Sequence, residues 1–140
     1  MHTTIKSKNY SMDFEFFIIG KIKKKIAYSI SDEVGVHYSE VFNVRKFSHN
    51  KDYIDEYKKK SEQLANKYQC KEIFGFLYQT DSEGKISAKS CKKIYEFIKN
   101  QGEEIPGYYY SAQDLDDKYF REFKKLLKDC VDNNCHLEWY

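Results

Sequence analysis

The chain of 140 residues is short of the features that announce chemistry. It has one proline, Pro106, one tryptophan, Trp139, and six glycines, none set in a G-x-G-x-x-G or G-K-S/T arrangement. Loops that cradle a phosphate on backbone amides are therefore missing. Nowhere do 18 apolar residues run together, so no membrane-spanning helix is expected. The opening residues, MHTTIKSKNYSMDF, lack the apolar core and small-residue cleavage site of a signal peptide, and a cytoplasmic protein is expected. The four cysteines form no C-x2-C pair, the spacing by which structural zinc sites are usually read. DSEG at 81–84 lacks the alternating acids and trailing glutamate of a calcium loop. No metal and no cofactor are expected.

What is present is aromatic and charged. Tyrosine occurs 13 times and phenylalanine 10 times, and aromatic residues make up 17% of the chain. Tyrosine is rigid and amphipathic, which suits it to interfaces. The net charge is only +2, but it is unevenly placed. Residues 1–30 carry six lysines against Asp13 and Glu15, whereas residues 101–140 carry nine acids against five bases. A polarised chain without a global basic excess fits a protein partner better than a nucleic acid.

The length predicts one domain, here residues 12–140, preceded by a loose extension over 1–11. DFEFFIIGKI and IAYSI have strand character, with the lysines of KIKKK (21–25) at the tip of a hairpin between them. SDEVG reads as punctuation, followed by a short helix from about Tyr38. Asn50 is placed to cap a helix whose stripe is Tyr53, Ile54, Tyr57, Leu64, Ala65 and Tyr68. IFGFLYQ (73–79) reads as a core strand ended by the turn TDSEGK. Ser87 caps a second helix with Cys91, Ile94, Tyr95 and Ile98 inward, and Gly102 stops it. Ser111 begins a third, which turns Phe120, Phe123, Leu127, Cys130 and Val131 to the core. Asn133 and Asn134 tolerate a left-handed exit, and Cys135, Leu137 and Trp139 then alternate as in a strand. The sum is an α+β fold, a small, mostly antiparallel sheet with about three helices on one face.

Two surfaces stand out. In EEIPGYYYS, three consecutive tyrosines cannot all enter one core from an extended segment. Tyr108, Tyr109 and Tyr110, flanked by Glu103, Glu104, Asp114, Asp116 and Asp117, form a candidate rim for a basic protein partner. The second surface is basic: Lys21, Lys23, Lys24, Lys25 and Arg45 could meet phosphate. His136 adjoins Cys135, but neighbours on a strand face opposite ways, so no cysteine–histidine pair is read there. The cysteines of the helical stripes are read as small hydrophobes, and no disulfide is expected.

Residues 85–140 also carry a resemblance. ISAKSCKKIYEFI and FREFKKLLKDCVDNNCHLEW resemble small uncharacterised bacterial and phage-encoded proteins with a Ser-capped helix, an F-x-x-F-x-x-x-L-x-x-C helix and a terminal aromatic strand. The matching positions are Ser87, Cys91, Phe120, Phe123, Leu127, Cys130, Leu137 and Trp139; Asn134 and Cys135 stand where a glycine pair is usual. The resemblance carries over no catalytic residue and implies a host–phage or interbacterial conflict setting. The expected function is thus a non-enzymatic protein-binding inhibitor, of the phage anti-defence (anti-CRISPR) or toxin-immunity kind, acting on a nuclease, toxin or defence effector. A nucleic-acid-binding module using the lysines, or a tyrosine-lined homo-oligomer sequestering a small molecule or nucleotide, are the alternatives.

Overall fold

In a computed structural model, which describes residues 2–41, 44, 49–99 and 118–140 and the backbone alone of 113–117, the stretch read as a lysine-tipped hairpin is one helix. This helix, α1 (Phe16–Ile30), buries Ile18, Ile19, Ile22 and Ile26, at three- to four-residue steps. Nothing in KIKKK supplies the positive φ that a tight hairpin turn needs, and lysine is a good helix former. The β preference of isoleucine and phenylalanine yields to packing on three sides, because α1 touches the second, fifth and sixth helices.

α2 (Asp32–Ser39) follows at once, its first turn capped by Ser31, whose Oγ accepts from the Val34 amide at 3.1 Å. SDEVG is therefore a helix start and not a turn, and the helix begins six residues before Tyr38. Gly35 is needed for closeness: a Cβ there would stand 2.3 Å from the Tyr28 ring of α1. α3 (Lys51–Tyr68) starts at the expected cap, the Asn50 side-chain Oδ1 accepting from the Tyr53 amide at 3.1 Å. It ends at Gln69, left-handed at φ 52°, with the Cys70 amide bonded to the Ala65 carbonyl at 3.0 Å. α4 (Lys71–Leu77) replaces the expected core strand. An apolar run this short fits either state, and here the amides of Phe74 and Tyr78 close helical turns on Cys70 and Phe74.

α5 (Ala88–Ile98) starts where expected, Ser87 capping it through the Ser90 amide at 3.1 Å, and α6 (Gln113–Asn133) ends where expected. The stop expected at Gly102 and the start expected at Ser111 lie outside the described residues. α6 exits through Asn134 at φ 50°, the Cys135 amide returning to the Cys130 carbonyl at 3.0 Å. The last eleven residues are thus the end of a helix and the start of a strand.

Four strands among the described residues form an antiparallel sheet: β1 (His2–Lys6), β2 (Ser11–Glu15), β3 (Gly84–Ile86) and β4 (Leu137–Trp139), in the order β2-β1-β4-β3. The fold is α+β, as expected, with six described helices instead of three. Within the segment expected to be a loose extension, residues 2–6 form an inner strand, paired with both β2 and β4. Thr3, Ile5, Phe14, Ile86, Leu137 and Trp139 share the buried face, while His2, Lys6, Asp13, Glu15 and Lys85 are exposed on the other. Phe76 of α4 meets the Trp139 ring edge-on at 5.5 Å and stacks on Phe123 of α6 at 5.6 Å, joining sheet to helices. Burying a side chain of this size stabilises the fold by about 3 kcal/mol.

Candidate functional site: an acidic, tyrosine-walled cleft

The residues proposed from sequence fare unequally. Tyr108, Tyr109, Tyr110, Glu103, Glu104 and Arg45 lie outside the described residues, and Asp114, Asp116 and Asp117 belong to the first turns of α6. The lysines sit on a packed helix and not at a hairpin tip. Lys23 is 1% exposed, its Nζ donating to Asp81 Oδ1 at 2.6 Å and to the Gln79 carbonyl at 2.7 Å, above the Phe76 ring. Lys25 is equally buried, with Nζ 5.1 Å over Phe120. Lys21 and Lys24 are half-buried. The run is spent largely on the interior.

The structure instead assembles a cleft of about 670 Å³ between α2 and α3. α2 contributes Asp32, Glu33, Val36 and His37, with Glu40 just past its end, and α3 contributes Tyr53, Glu56, Tyr57 and Lys60. Both sets follow helical spacing, so each wall is one stripe of its helix. Four carboxylates and one lysine, Lys60, line the cleft, and Glu33 is also paired with Lys67 from outside the lining. Val36 is an exposed apolar residue within this acidic rim.

The floor is a hydrogen-bonded aromatic cluster. The His37 ring stacks on Tyr57 at 4.0 Å, and its Nε2 lies 2.7 Å from Ser61 Oγ. Ser61 Oγ also lies 3.0 Å from the Tyr57 carbonyl one turn back on its own helix, so its proton has two acceptors in reach, that carbonyl and the His37 ring. Tyr57 donates to the His37 carbonyl at 2.8 Å and meets the Tyr78 hydroxyl at 3.0 Å. Burial, helped by the Lys60 charge and opposed by Glu40, pushes the His37 pKa below its ordinary value, so the ring is neutral at pH 7. Burial and the Tyr78 hydroxyl hold Tyr57 well above the usual phenol range. Glu33 is held ionised: hydrogen bonds from Lys67 Nζ at 2.9 Å and Tyr68 Oη at 2.8 Å pull its pKa down.

Sequence reasoning placed Tyr53 and Tyr57 on a core stripe, and they are half-buried on the cleft wall. It missed His37, Glu33 and Glu56. Reading SDEVG as helical would have exposed the signal, because Asp32, Val36 and Glu40 then fall on one face.

The cysteines are all free thiols; Cys70, Cys91 and Cys130 are buried and Cys135 is half-buried. Cys130 donates to the His136 carbonyl at 3.5 Å, and the neighbouring Cys91 thiol together with burial pushes its own thiol well above the usual range. Burial raises the Cys70 thiol to about 11, that of an inert core residue. Among the described residues, no group of three or more His, Cys, Asp or Glu side chains is placed to hold a metal ion. No helix among them is long and apolar enough to cross a membrane. Set against family models, curated proteins and solved structures, the chain matches none of them.

Proposed function

We propose that this chain is a non-enzymatic protein-binding module that inhibits or neutralises its target, and that the cleft between α2 and α3 receives a lysine- or arginine-bearing segment of that target. The supporting observation is the cleft itself: four carboxylates, two tyrosines and the exposed Val36 around one lysine. Carboxylates steer a cation inward, and tyrosine faces then hold the guanidinium or the alkyl stem. Enzymes that handle nucleic acid present basic surfaces, so a nuclease or a related effector is the class of target that such a cleft complements. A host–phage or interbacterial conflict is the setting proposed for that inhibition. The acids and tyrosines of 103–117 have the same character and are proposed as part of the same contact.

The test is a titration of the isotope-labelled chain with an arginine-rich hexapeptide, followed by NMR. Shifts concentrated at His37, Tyr53, Tyr57 and Glu56, absent with a glutamate-rich peptide, are the expected result. Shifts of equal size with both peptides, or none in the cleft, would sink the reading. The double substitution Asp32→Lys and Glu56→Lys reverses two exposed charges and should abolish the response without unfolding the helices.

A further inference from the structure

The sheet has two edge strands, and they are finished differently. At β3, the Gln79 carboxamide closes the edge: Nε2 donates to the Lys85 carbonyl at 3.1 Å and Oε1 accepts from the Lys85 amide at 3.2 Å. One side chain thereby does what a neighbouring strand's peptide group would do. At β2 there is no such closure among the described residues.

Which groups β2 leaves open follows from the ladder. The Thr4 amide and carbonyl bond Tyr140 on the β4 side, at 2.9 and 3.0 Å. Thr4 therefore turns its backbone away from β2, and its partner Asp13 does the same in the other direction. By alternation, the outward amides and carbonyls of β2 belong to Ser11 and Asp13, with Glu15 at the passage into α1. All three side chains are exposed. Two large exposed aromatics flank the strand in sequence, Tyr10 at 46% and Phe17 at 54% exposure.

We infer that β2 is a docking edge for an extended segment of a partner protein with lysine or arginine at alternate positions. Backbone pairing would bind the segment to Ser11 and Asp13, and its alternate side chains would fall on the face bearing Asp13 and Glu15. Opposite charges across a strand pair are favourable and like charges are not. A second copy is thereby disfavoured. In the fullest two-fold register about this edge, Asp13 faces Asp13, whose cross-strand neighbour Thr4 offers only a hydroxyl, at 2.6 Å. This surface is separate from the cleft and stands or falls without it.

The experiment uses the full, isotope-labelled chain and a capped heptapeptide alternating lysine with valine, alongside the same peptide N-methylated at every second amide. Amide hydrogen exchange at Ser11 and Asp13 should slow by about tenfold or more with the first peptide and stay unchanged with the second. Equal binding of both peptides would reduce the effect to charge attraction and overturn the inference. So would protection confined to Tyr53 and Tyr57, which keeps the cleft and removes the edge, or a free chain that dimerises with Ser11 and Asp13 already protected. Asp13→Pro removes one outward amide while sparing the ladder to β1, and should abolish protection. If that variant fails to fold, Asp13→Lys keeps the amide and reverses the charge; its affinity for the peptide should fall by about tenfold. Undiminished binding by either folded variant defeats the proposal.

Discussion

The two edges of one small sheet show how differently a chain can treat the same liability. β3 is three residues long, and its outer backbone is closed by Gln79, while the turn before it is fixed from several sides. Thr3 Oγ1 and the Trp139 indole donate to the Asp81 and Thr80 carbonyls at 2.8 and 2.9 Å, and Lys23 reaches the same turn from α1. β2 is longer and carries acids where the other edge carries a closing amide. Its turn is fixed instead from α6: Asp129 accepts from Ser7 Oγ and from the Asn9 amide, both at 2.7 Å, and from Asn9 Nδ2 at 2.9 Å. One edge is sealed, and the other is held steady and, among the described residues, left open.

Breaking the sealed edge at its tightest point should have the largest effect. Gly84 lies beneath the Trp139 indole, and a Cβ would come within 2.1 Å of Cζ2 and 2.6 Å of Gln79 Oε1. Gly84→Val should destabilise the chain by about 3 kcal/mol, read from the urea midpoint. Lys23→Ala comes next, at about 2 to 3 kcal/mol, because it opens a hole under Phe76 and strips the turn of its ammonium. A loss below about 0.5 kcal/mol would mean that the turn holds without α1.

Asp129→Ala should cost about 2 kcal/mol and loosen the open edge alone, seen as faster amide exchange along β1 and β2 with β3 unaffected. Its acid dependence sharpens the point. Burial works to raise the Asp129 pKa, but the hydrogen bonds from Asn9 and Ser7 together outweigh it and hold the carboxyl below the usual value. A carboxyl depressed in the folded state adds stability that is complete above its unfolded pKa and is lost as pH falls through the folded value. The stability gap between wild type and Asp129→Ala, followed by unfolding, should therefore be full and constant from pH 6 down to the range where an ordinary carboxyl titrates, and should shrink as the pH is lowered further. The smallest effect belongs to Gln79→Ala, about 1 kcal/mol. Its more telling readout is exchange at Lys85, which should come to resemble that of Asp13.

The parts of the fold that sequence made legible are those coded within a few residues. Asn50 and Ser87 announce helix starts because a cap needs only its own side chain and an amide three residues on. Asn134 marks a helix end because the left-handed turn is a property of one residue. The misreadings share a different cause. FFIIGKIKKKIAYSI and KEIFGFL carry apolar residues dense enough for either period, and the choice is made by what packs on them, from as far away as Phe123. HTTIK shows only Thr3 and Ile5 turned inward, too short a pattern to name a strand without knowing its partners. The cleft was hidden for the same reason. His37 and Tyr57 stack although 20 residues separate them, and the carboxylates of two helices meet only once α2 and α3 lie side by side.

The strands at the middle of the sheet come from opposite ends of the sequence. Ile5 pairs with Trp139, so the seam between β1 and β4 joins residues more than a hundred and thirty positions apart. Forming such a contact from an open chain costs loop-closure entropy that local structure does not recover. The helices and the β1–β2 hairpin have local contacts and need not wait for it. Among the described residues, β3 pairs with β4 alone. Half of the sheet therefore hangs on the arrival of three residues, and the seam is the natural last step of folding. A protease or a crowding partner that keeps Leu137–Trp139 away should leave a chain rich in helix, with its hairpin formed and the β1 edge at Ile5 unpaired.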